Sequence, residues 1–339
     1  MNREERFKTI QQIEEIRQSR VIVYVTGDRR GLETRIASDI FPFLFSHLTR
    51  VGKQNKIDLF LYSTGGINMA GYGLVQVVKE FCEKFGVIIP FKALSCATLV
   101  TLGADEVLMT EMGQLSPIDP SVEHPLGPSA VAPAPQAVYK IVPISVEDVA
   151  NYLELAKSEV GLKSEEALVR VFERLATDVR PLALGSVHRA REQIRFLART
   201  LLSFHTPDEN KIGDIVEILS RARFSHDYLI SRREAKDILK LNLIDMGSDL
   251  KKAVVALFDC YREILSLDEP YMPEVFLGDA DVKVGEFTRA IIESTGLTYI
   301  FRTRKEVRRV EVTQPGIPVP VVGYRERVFD ERWMEDHQI

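Results

Sequence analysis

The chain has 339 residues, of which 45% are hydrophobic and 27% are charged, and its formal net charge at pH 7 is -5. This composition is typical of a soluble globular protein with one large domain, or with one domain and an appendage. The acidic balance argues against binding along a nucleic-acid backbone. No apolar run approaches the roughly 18 residues of a membrane-spanning helix, so we expect no membrane insertion.

The three cysteines, Cys82, Cys96 and Cys260, are far apart in the sequence and odd in number. This pattern argues against a disulfide framework and is typical of a reducing compartment, so we expect a cytoplasmic protein. No cysteine or histidine spacing indicates zinc, and neither a G-x-G-x-x-G motif nor a P-loop is present. We therefore expect no metal and no organic cofactor.

An N-terminal helix is followed by alternating strands and helices. Strands are predicted at residues 20–27, 56–66, 87–94 and 106–110, and helices at residues 1–20, 37–52, 71–86 and 96–104. The strands lack polar alternation, which indicates a parallel sheet with helices on both faces. The predicted fold class is therefore α/β.

The second half of the chain changes character. A loop rich in proline spans residues 117–143, helices follow it, and strands are predicted in the tail at residues 297–312 and 318–329. We predict three segments: a helix at 1–19, one α/β domain at 20–268, and a small α+β appendage at 269–339. The appendage is expected to contact another subunit.

Two strand ends carry residues suited to catalysis. "YSTGG" at residues 62–66 ends one strand with two glycines, which let backbone amides point at an anion. Ser95 stands between the next strand and a helix, where its hydroxyl would be exposed. Taken singly, a tight turn and a helix N-cap are simpler interpretations. Because the two strands are expected to be neighbours, the pair indicates acyl transfer.

Four motifs in order resemble a known family. "DLFLYSTGG", "FKALSCATLVTLGADEVL", "MGQLSPIDP" and "SRREAKDILKLNLID" resemble the Clp/crotonase-type serine peptidases, and most closely the serine dehydrogenase proteinases, relatives of signal peptide peptidase A. The resemblance covers roughly residues 20–245. It implies a Clp/crotonase-like spiral of ββα units and an ATP-independent serine peptidase that acts on peptides or proteins. Relatives with this fold form rings, which implies a homo-oligomer.

The resemblance also assigns roles to single residues. Ser95 stands at the position of the nucleophile, and the backbone amides of Gly66 and Cys96 stand where the oxyanion hole is formed. The Clp histidine is replaced by Asp119 in "LSPIDP", and Ala222 stands where the Clp aspartate is expected. A complete Clp triad is therefore absent from this sequence.

The general base has several candidates. His226 in "FSHDYLI" is the first, oriented by Asp119, although His226 could instead cap the helix that follows it. Relatives of signal peptide peptidase A use a lysine, and Lys140, Lys157 and Lys163 stand at suitable spacings from Ser95. The sequence leaves this choice open.

Two other functions remain open. The missing triad residues favour a scaffold or assembly protein that keeps the fold without activity. A crotonase-like acyl-CoA enzyme would use the same two backbone donors, but it would need a glutamate and a CoA-binding loop that we do not find in the sequence.

Overall fold

The computed structural model describes the chain except residues 119–120, 123, 126–128, 132–138, 221–227, 313–320 and 339. The chain forms two compact units. The first, here called the core unit, consists of Met1–Ser116 and Leu229–Ile339. The second, here called the inserted unit, is Pro117–Tyr228.

A seven-stranded sheet is the centre of the core unit. Its strands in chain order are β1 (Arg20–Thr26), β2 (Gln54–Tyr62), β3 (Cys82–Ile89), β4 (Glu106–Met109), β11 (Val282–Ser294), β12 (Leu297–Val312) and β13 (Val321–Glu335). The spatial order is β13-β12-β11-β1-β2-β3-β4. Strands β1 to β4 are parallel, and β11 to β13 add antiparallel neighbours beyond β1.

Helices cover both faces of this sheet. In the core unit they are α1 (Arg3–Arg17), α2 (Phe41–Val51), α3 (Asn68–Lys79), α4 (Cys96–Leu102), α9 (Arg232–Asp237), α10 (Ser248–Ile264) and α11 (Pro273–Leu277). Helices α1 and α10 pack together on one face, where Ile10 and Leu257 join a core with Val23 and Phe60. Helices α2 and α3 pack on the other face. The α/β fold predicted from the sequence is confirmed.

Strand β1 shows why this sheet forms where the sequence predicts it. Its β-branched and aromatic residues favour extended backbone, and every side chain from Val21 to Thr26 is buried. A strand that is buried along its length, as β1 is, is expected where helices cover both faces of a sheet.

Two short strands form a separate pair: β5 (Gln114–Leu115) pairs with β10 (Ile230–Ser231).

One predicted helix is too long. The expected helix at residues 71–86 ends at Lys79, and Cys82 already begins β3. Charged residues in this stretch imitate a helix surface, but its backbone pairs in parallel with β2, with Gly86 opposite the buried Asp58. Sheet pairing therefore overrides the local helical pattern.

The C-terminal tail contributes three strands to the central sheet. The strand predicted at 297–312 is β12, and the one predicted at 318–329 corresponds to β13, which begins at Val321. Strand β11 was not predicted, and it pairs antiparallel with β1. The subunit-contact role of the tail stays a prediction.

The inserted unit is mainly helical. Its elements are β6 (Ser121–Val122), β7 (Ser129–Val131), β8 (Tyr139–Ile141), β9 (Ile144–Ser145), α5 (Val146–Glu154), α6 (Glu165–Asp178), α7 (Pro181–Ser203) and α8 (Glu209–Ser220). Ile144, Val146, Ala183 and Val187 are members of its small core. Among the helices that the structure describes, none combines the length and apolar content needed to span a membrane.

Candidate functional site

The turn after β2 is held by two buried hydroxyl groups. The Thr26 hydroxyl donates to Ser63 Oγ at 2.7 Å, and Ser63 Oγ accepts the Gly65 amide at 3.0 Å. The Ser63 amide also donates to the carbonyl of Lys92 at 2.9 Å. These bonds join the "STGG" turn to the segment that leads into Ser95.

The two glycines of this turn leave no space for side chains. Gly65 has φ +120°, and a Cβ atom there would lie 2.8 Å from Ser95 Cβ. A Cβ atom on Gly66 would lie 2.5 Å from the amide nitrogen of Ile36. The Ile36 amide donates to the Gly65 carbonyl at 2.9 Å, which holds this close packing in place. The turn is thereby brought directly against Ser95.

Ser95 has an uncommon backbone conformation. Its φ is +51° and its ψ is -115°, a combination that costs a serine of the order of 1–3 kcal/mol. Although Ser95 occupies the N-cap position of α4, its side chain makes no capping hydrogen bond. Among the residues that the structure describes, its hydroxyl has no hydrogen-bond partner. The helix-cap interpretation therefore does not account for this serine.

The backbone of Ser95 is held by its neighbours. Its amide donates to Ser116 Oγ at 2.7 Å. The Ser116 amide donates to Thr98 Oγ1 at 3.0 Å, and the Thr98 hydroxyl donates to the Ala93 carbonyl at 2.8 Å. This chain of hydrogen bonds fixes the strand-to-helix turn from both sides.

Cys96 follows Ser95 and begins α4, whose seven residues are all buried. A Cβ atom on Gly71 would lie 2.5 Å from Cys96 Sγ, so α3 approaches α4 this closely only because residue 71 is glycine. The thiol donates to the Ile67 carbonyl at 3.3 Å. Burial raises the pKa of the Cys96 thiol to about 12. The thiol stays protonated at neutral pH and is not a competing nucleophile.

The amides of Gly66 and Cys96 are available as donors. Within the described part of the chain, no backbone or side-chain oxygen accepts a hydrogen bond from either amide. Cys96 is the first residue of α4, where the amides of a helix have no partner within the helix. Two free amides on the turns that flank a serine can stabilise a developing oxyanion.

None of the predicted bases lies among the described residues of the core unit. His226 and Asp119, like Ala222, lie outside the described residues. Lys157 and Lys163 belong to the inserted unit, and so does Lys140, whose backbone is part of β8. The general base therefore stays a prediction.

Lys92 is the lysine that precedes Ser95 in the sequence, and it is already paired. Its Nζ lies 2.7 Å from Asp28 Oδ2, and the Tyr62 hydroxyl donates to the other oxygen of Asp28 at 2.7 Å. This ion pair holds the segment that leads into the candidate nucleophile, and we assign Lys92 no role as a base.

The sequence did not single out several residues that shape this site. Gly65, Ser63, Thr26, Ser116 and Thr98 all act on the two turns through the contacts given above. Gly65 had a signal, because it is the first glycine of "STGG". The hydroxyl groups had none.

The sequence around these two turns is similar to that of a known protein family. Residues 1–159 match the family described as ClpP-like SDH-type serine proteinase. These 159 residues are slightly less than half of the 339-residue chain, and over them the chain is similar to that family. The family is one of serine proteinases with a ClpP-like fold, and Gly65, Gly66, Ser95 and Cys96 all lie within the matched region.

Two curated relatives come from Methanocaldococcus jannaschii. Uncharacterized protein MJ0137 is 26% identical over 211 residues, which are 62% of this chain and 60% of that protein. Uncharacterized protein MJ1495 is 24% identical over 267 residues, which are 76% of this chain and 77% of that protein. The chain therefore matches less than two thirds of the length of MJ0137.

Proposed function

We propose that this protein is an ATP-independent serine peptidase with Ser95 as its nucleophile. The observation that supports this most is the state of Ser95. Its backbone is held in a strained turn against Gly65, and its hydroxyl does not cap the helix that follows. Strained backbone of this kind is concentrated at functional sites, where the surrounding structure maintains it. The match of residues 1–159 to the ClpP-like serine proteinases supports the same assignment.

In the proposed reaction, Ser95 Oγ attacks the carbonyl carbon of a peptide bond. The amides of Gly66 and Cys96 donate to the oxyanion of the tetrahedral intermediate, and each such donor contributes about 10²–10³ in rate. The amine leaves with a proton from the conjugate acid of the base, and an acyl-enzyme remains on Ser95. Water then releases the acid product and restores the hydroxyl.

His226 is the proposed base, oriented by Asp119, with Lys140, Lys157 and Lys163 as the alternatives. A histidine of ordinary pKa gives a kcat/KM that rises with pH around 6.5, whereas a lysine base needs a strongly lowered pKa to act near neutrality. The pH profiles of His226→Gln and the three Lys→Gln variants identify the base. The responsible variant loses the ionisation that the wild type shows.

The test of the proposed function is hydrolysis of fluorescently labelled casein by the wild type, Ser95→Ala and Cys96→Ala. We expect Ser95→Ala to lose activity by roughly a thousandfold or more. Cys96→Ala should keep most of its activity, because Cys96 contributes its amide and its thiol is protonated. Equal activity in Ser95→Ala and the wild type would contradict the proposal. Folded but inactive wild type would favour the scaffold function.

We also propose that the protein forms a homo-oligomer in the cytoplasm, as the sequence predicts. Sedimentation at micromolar concentration tests the assembly, and a monomer there would overturn it. This proposal does not affect the chemistry assigned to Ser95.

A further inference from the structure

A cleft of about 430 Å³ lies in the core unit beside the "STGG" turn. Thr64 lines the cleft and directly precedes Gly65, the residue that lies against Ser95. The C-terminal strands form much of its wall. The lining residues are Glu33, Thr34, Arg35, Ala37, Asp39, Thr64, Arg289, Ala290, Phe301, Glu331 and Trp333.

Aromatic rings form a rigid part of this wall. The Trp333 ring centroid lies 5.5 Å from that of Phe301 and 5.6 Å from that of Phe43. The indole nitrogen of Trp333 donates to Asp39 Oδ2 at 2.9 Å. These contacts hold the indole in one orientation, with an acidic group at its edge. An indole face is the strongest side-chain partner for a cation.

Two charged residues of the cleft, Arg289 and Glu331, already pair with each other. Arg289 Nη1 lies 2.8 Å from Glu331 Oε2, and the same guanidinium donates to the Leu32 carbonyl at 3.0 Å, to Thr303 at 3.1 Å and to the Glu33 carbonyl. Arg289 is thus part of the structure of the wall. Its charge and that of Glu331 cancel, so neither selects a ligand.

The remaining charges favour a cation. The carboxylates of Asp39 and Glu33 accept hydrogen bonds from Trp333 and from the Gly31 amide, and these neutral donors leave both negative charges uncompensated. Arg35 opposes them with one positive charge and has no hydrogen-bond or ion-pair partner among the described residues. The cleft therefore carries one negative charge in excess beside an indole.

We propose that this cleft binds a lysine or arginine side chain of the peptide substrate, at a position next to the bond cleaved at Ser95. The cation packs on Trp333 and lies near Asp39 and Glu33, and its alkyl chain contacts Phe301 and Ala290. The position follows from Thr64, which links the cleft to the turn that contacts Ser95. This inference rests on the proposed function.

Trp333 provides a direct readout, because it is the only tryptophan of the chain. The probes are blocked alanine pentapeptides with lysine, norleucine or glutamate at the central position, titrated into Ser95→Ala so that nothing is cleaved. We expect the lysine peptide to change tryptophan fluorescence and to bind about three- to tenfold more tightly than the norleucine peptide. Equal or tighter binding of the norleucine or glutamate peptide would overturn the inference.

Charge variants of the cleft test whether its excess negative charge favours the lysine peptide. Asp39→Asn keeps an oxygen acceptor for the Trp333 indole but removes the charge, so the lysine peptide should bind several-fold more weakly. Arg35→Gln removes the opposing charge and should tighten binding. Asp330→Asn is the matched control, since Asp330 lies on β13 outside the cleft and pairs with Arg332. Shifts of Asp39→Asn and Arg35→Gln in the same direction, or no shift in either, would contradict the inference.

Cleavage by the wild type separates this inference from the proposed function. If the wild type cleaves the lysine and norleucine peptides with equal kcat/KM, the peptidase assignment stands and the cleft assignment is wrong. If Ser95→Ala binds the lysine peptide preferentially but the wild type cleaves none, the peptidase assignment is wrong and the cleft still binds a basic side chain.

Discussion

Ser95 and Cys96 are adjacent, and both carry groups that could act as nucleophiles. The Cys96 thiol is buried, donates to the Ile67 carbonyl, and has its pKa raised to about 12. The Ser95 hydroxyl is half-buried and has no partner within the described part of the chain. The buried Cys96 thiol is therefore protonated and unreactive at neutral pH, whereas the Ser95 hydroxyl is available as a nucleophile.

His47 is a histidine buried in the core unit. Its ring is fully buried on α2, and Nδ1 lies 2.7 Å from Ser294 Oγ. Burial lowers the pKa of His47 to about 3, because the charged imidazolium would lose its hydration. His47 is therefore neutral in the folded protein and has a structural role.

This shift predicts loss of stability in acid. Between pH 6.5 and about 3 the unfolded chain binds a proton at His47 and the folded chain does not, so the unfolding free energy falls as pH falls, by at most about 1.4 kcal/mol per pH unit. Urea unfolding at pH 7.5 and 5.0 should show a smaller loss for His47→Gln than for the wild type, by about 1–2 kcal/mol. Identical losses in the two proteins would refute this role.

At the scale of elements, the site consists of two turns that hold each other. The turn after β2 presents Gly65 to Ser95, and the turn after β3 takes its shape from Ser116 and Thr98. The Ser116 hydroxyl is the acceptor for the amide of the strained residue. We therefore regard Ser116 as a positioning residue of the proposed nucleophile.

Ser116→Ala should slow the reaction of Ser95 without unfolding the protein. The Ser95 amide would lose its acceptor, which costs about 1–2 kcal/mol and corresponds to roughly a five- to thirtyfold slower reaction with a fluorophosphonate. Ser46→Ala is the matched control, because the Ser46 hydroxyl donates to the Pro42 carbonyl on an exposed turn of α2. A Ser116→Ala rate equal to that of the control would refute the positioning role.

Local patterns predicted the parallel half of the sheet well. Strand β1 and the short helix α4 form where buried residues follow one another, and burial of this kind is visible in the sequence. The start of β3 was missed because Glu83 and Lys84 give it the appearance of a helix surface. Its parallel pairing with β2 involves residues almost thirty positions away, and such pairing leaves no local signal.

The antiparallel half was harder to predict. Strand β11 lacks a regular alternation of hydrophobic and polar residues, and its partner β1 lies far earlier in the chain. The cleft beside Thr64 depends on β11, β12 and β13, so it could not be predicted without that pairing.

At the scale of the whole molecule, a buried ion pair joins the N-terminal helix α1 to strand β11. Arg6 on α1 binds Glu293 on β11 through both carboxylate oxygens, at 2.7 and 2.9 Å, and both side chains are fully buried. The hydroxyl groups of Tyr261 and Thr298 also donate to Glu293. This cluster ties α1 and α10 to the strand next to β1.

Removing one partner of this pair should destabilise the protein strongly. Arg6→Met leaves the Glu293 carboxylate buried without its counter-charge, which costs about 3–5 kcal/mol in the free energy of unfolding. The double variant Arg6→Met with Glu293→Leu should lose less, since no unpaired charge remains. Urea unfolding measures both. An Arg6→Met protein within 1 kcal/mol of the wild type, or a double variant that is the least stable of the three, would show that the pair has another role.

The central claim is that Ser95 is the reactive nucleophile, and covalent labelling tests it most directly. The wild type, Ser95→Ala and Cys96→Ala are treated with a fluorophosphonate, digested, and analysed by mass spectrometry, with circular dichroism to confirm that all three are folded. We expect a single phosphonylated residue, Ser95, in the wild type and in Cys96→Ala, and no adduct in Ser95→Ala. An unlabelled, folded wild type, or an adduct that persists in Ser95→Ala, would contradict the claim.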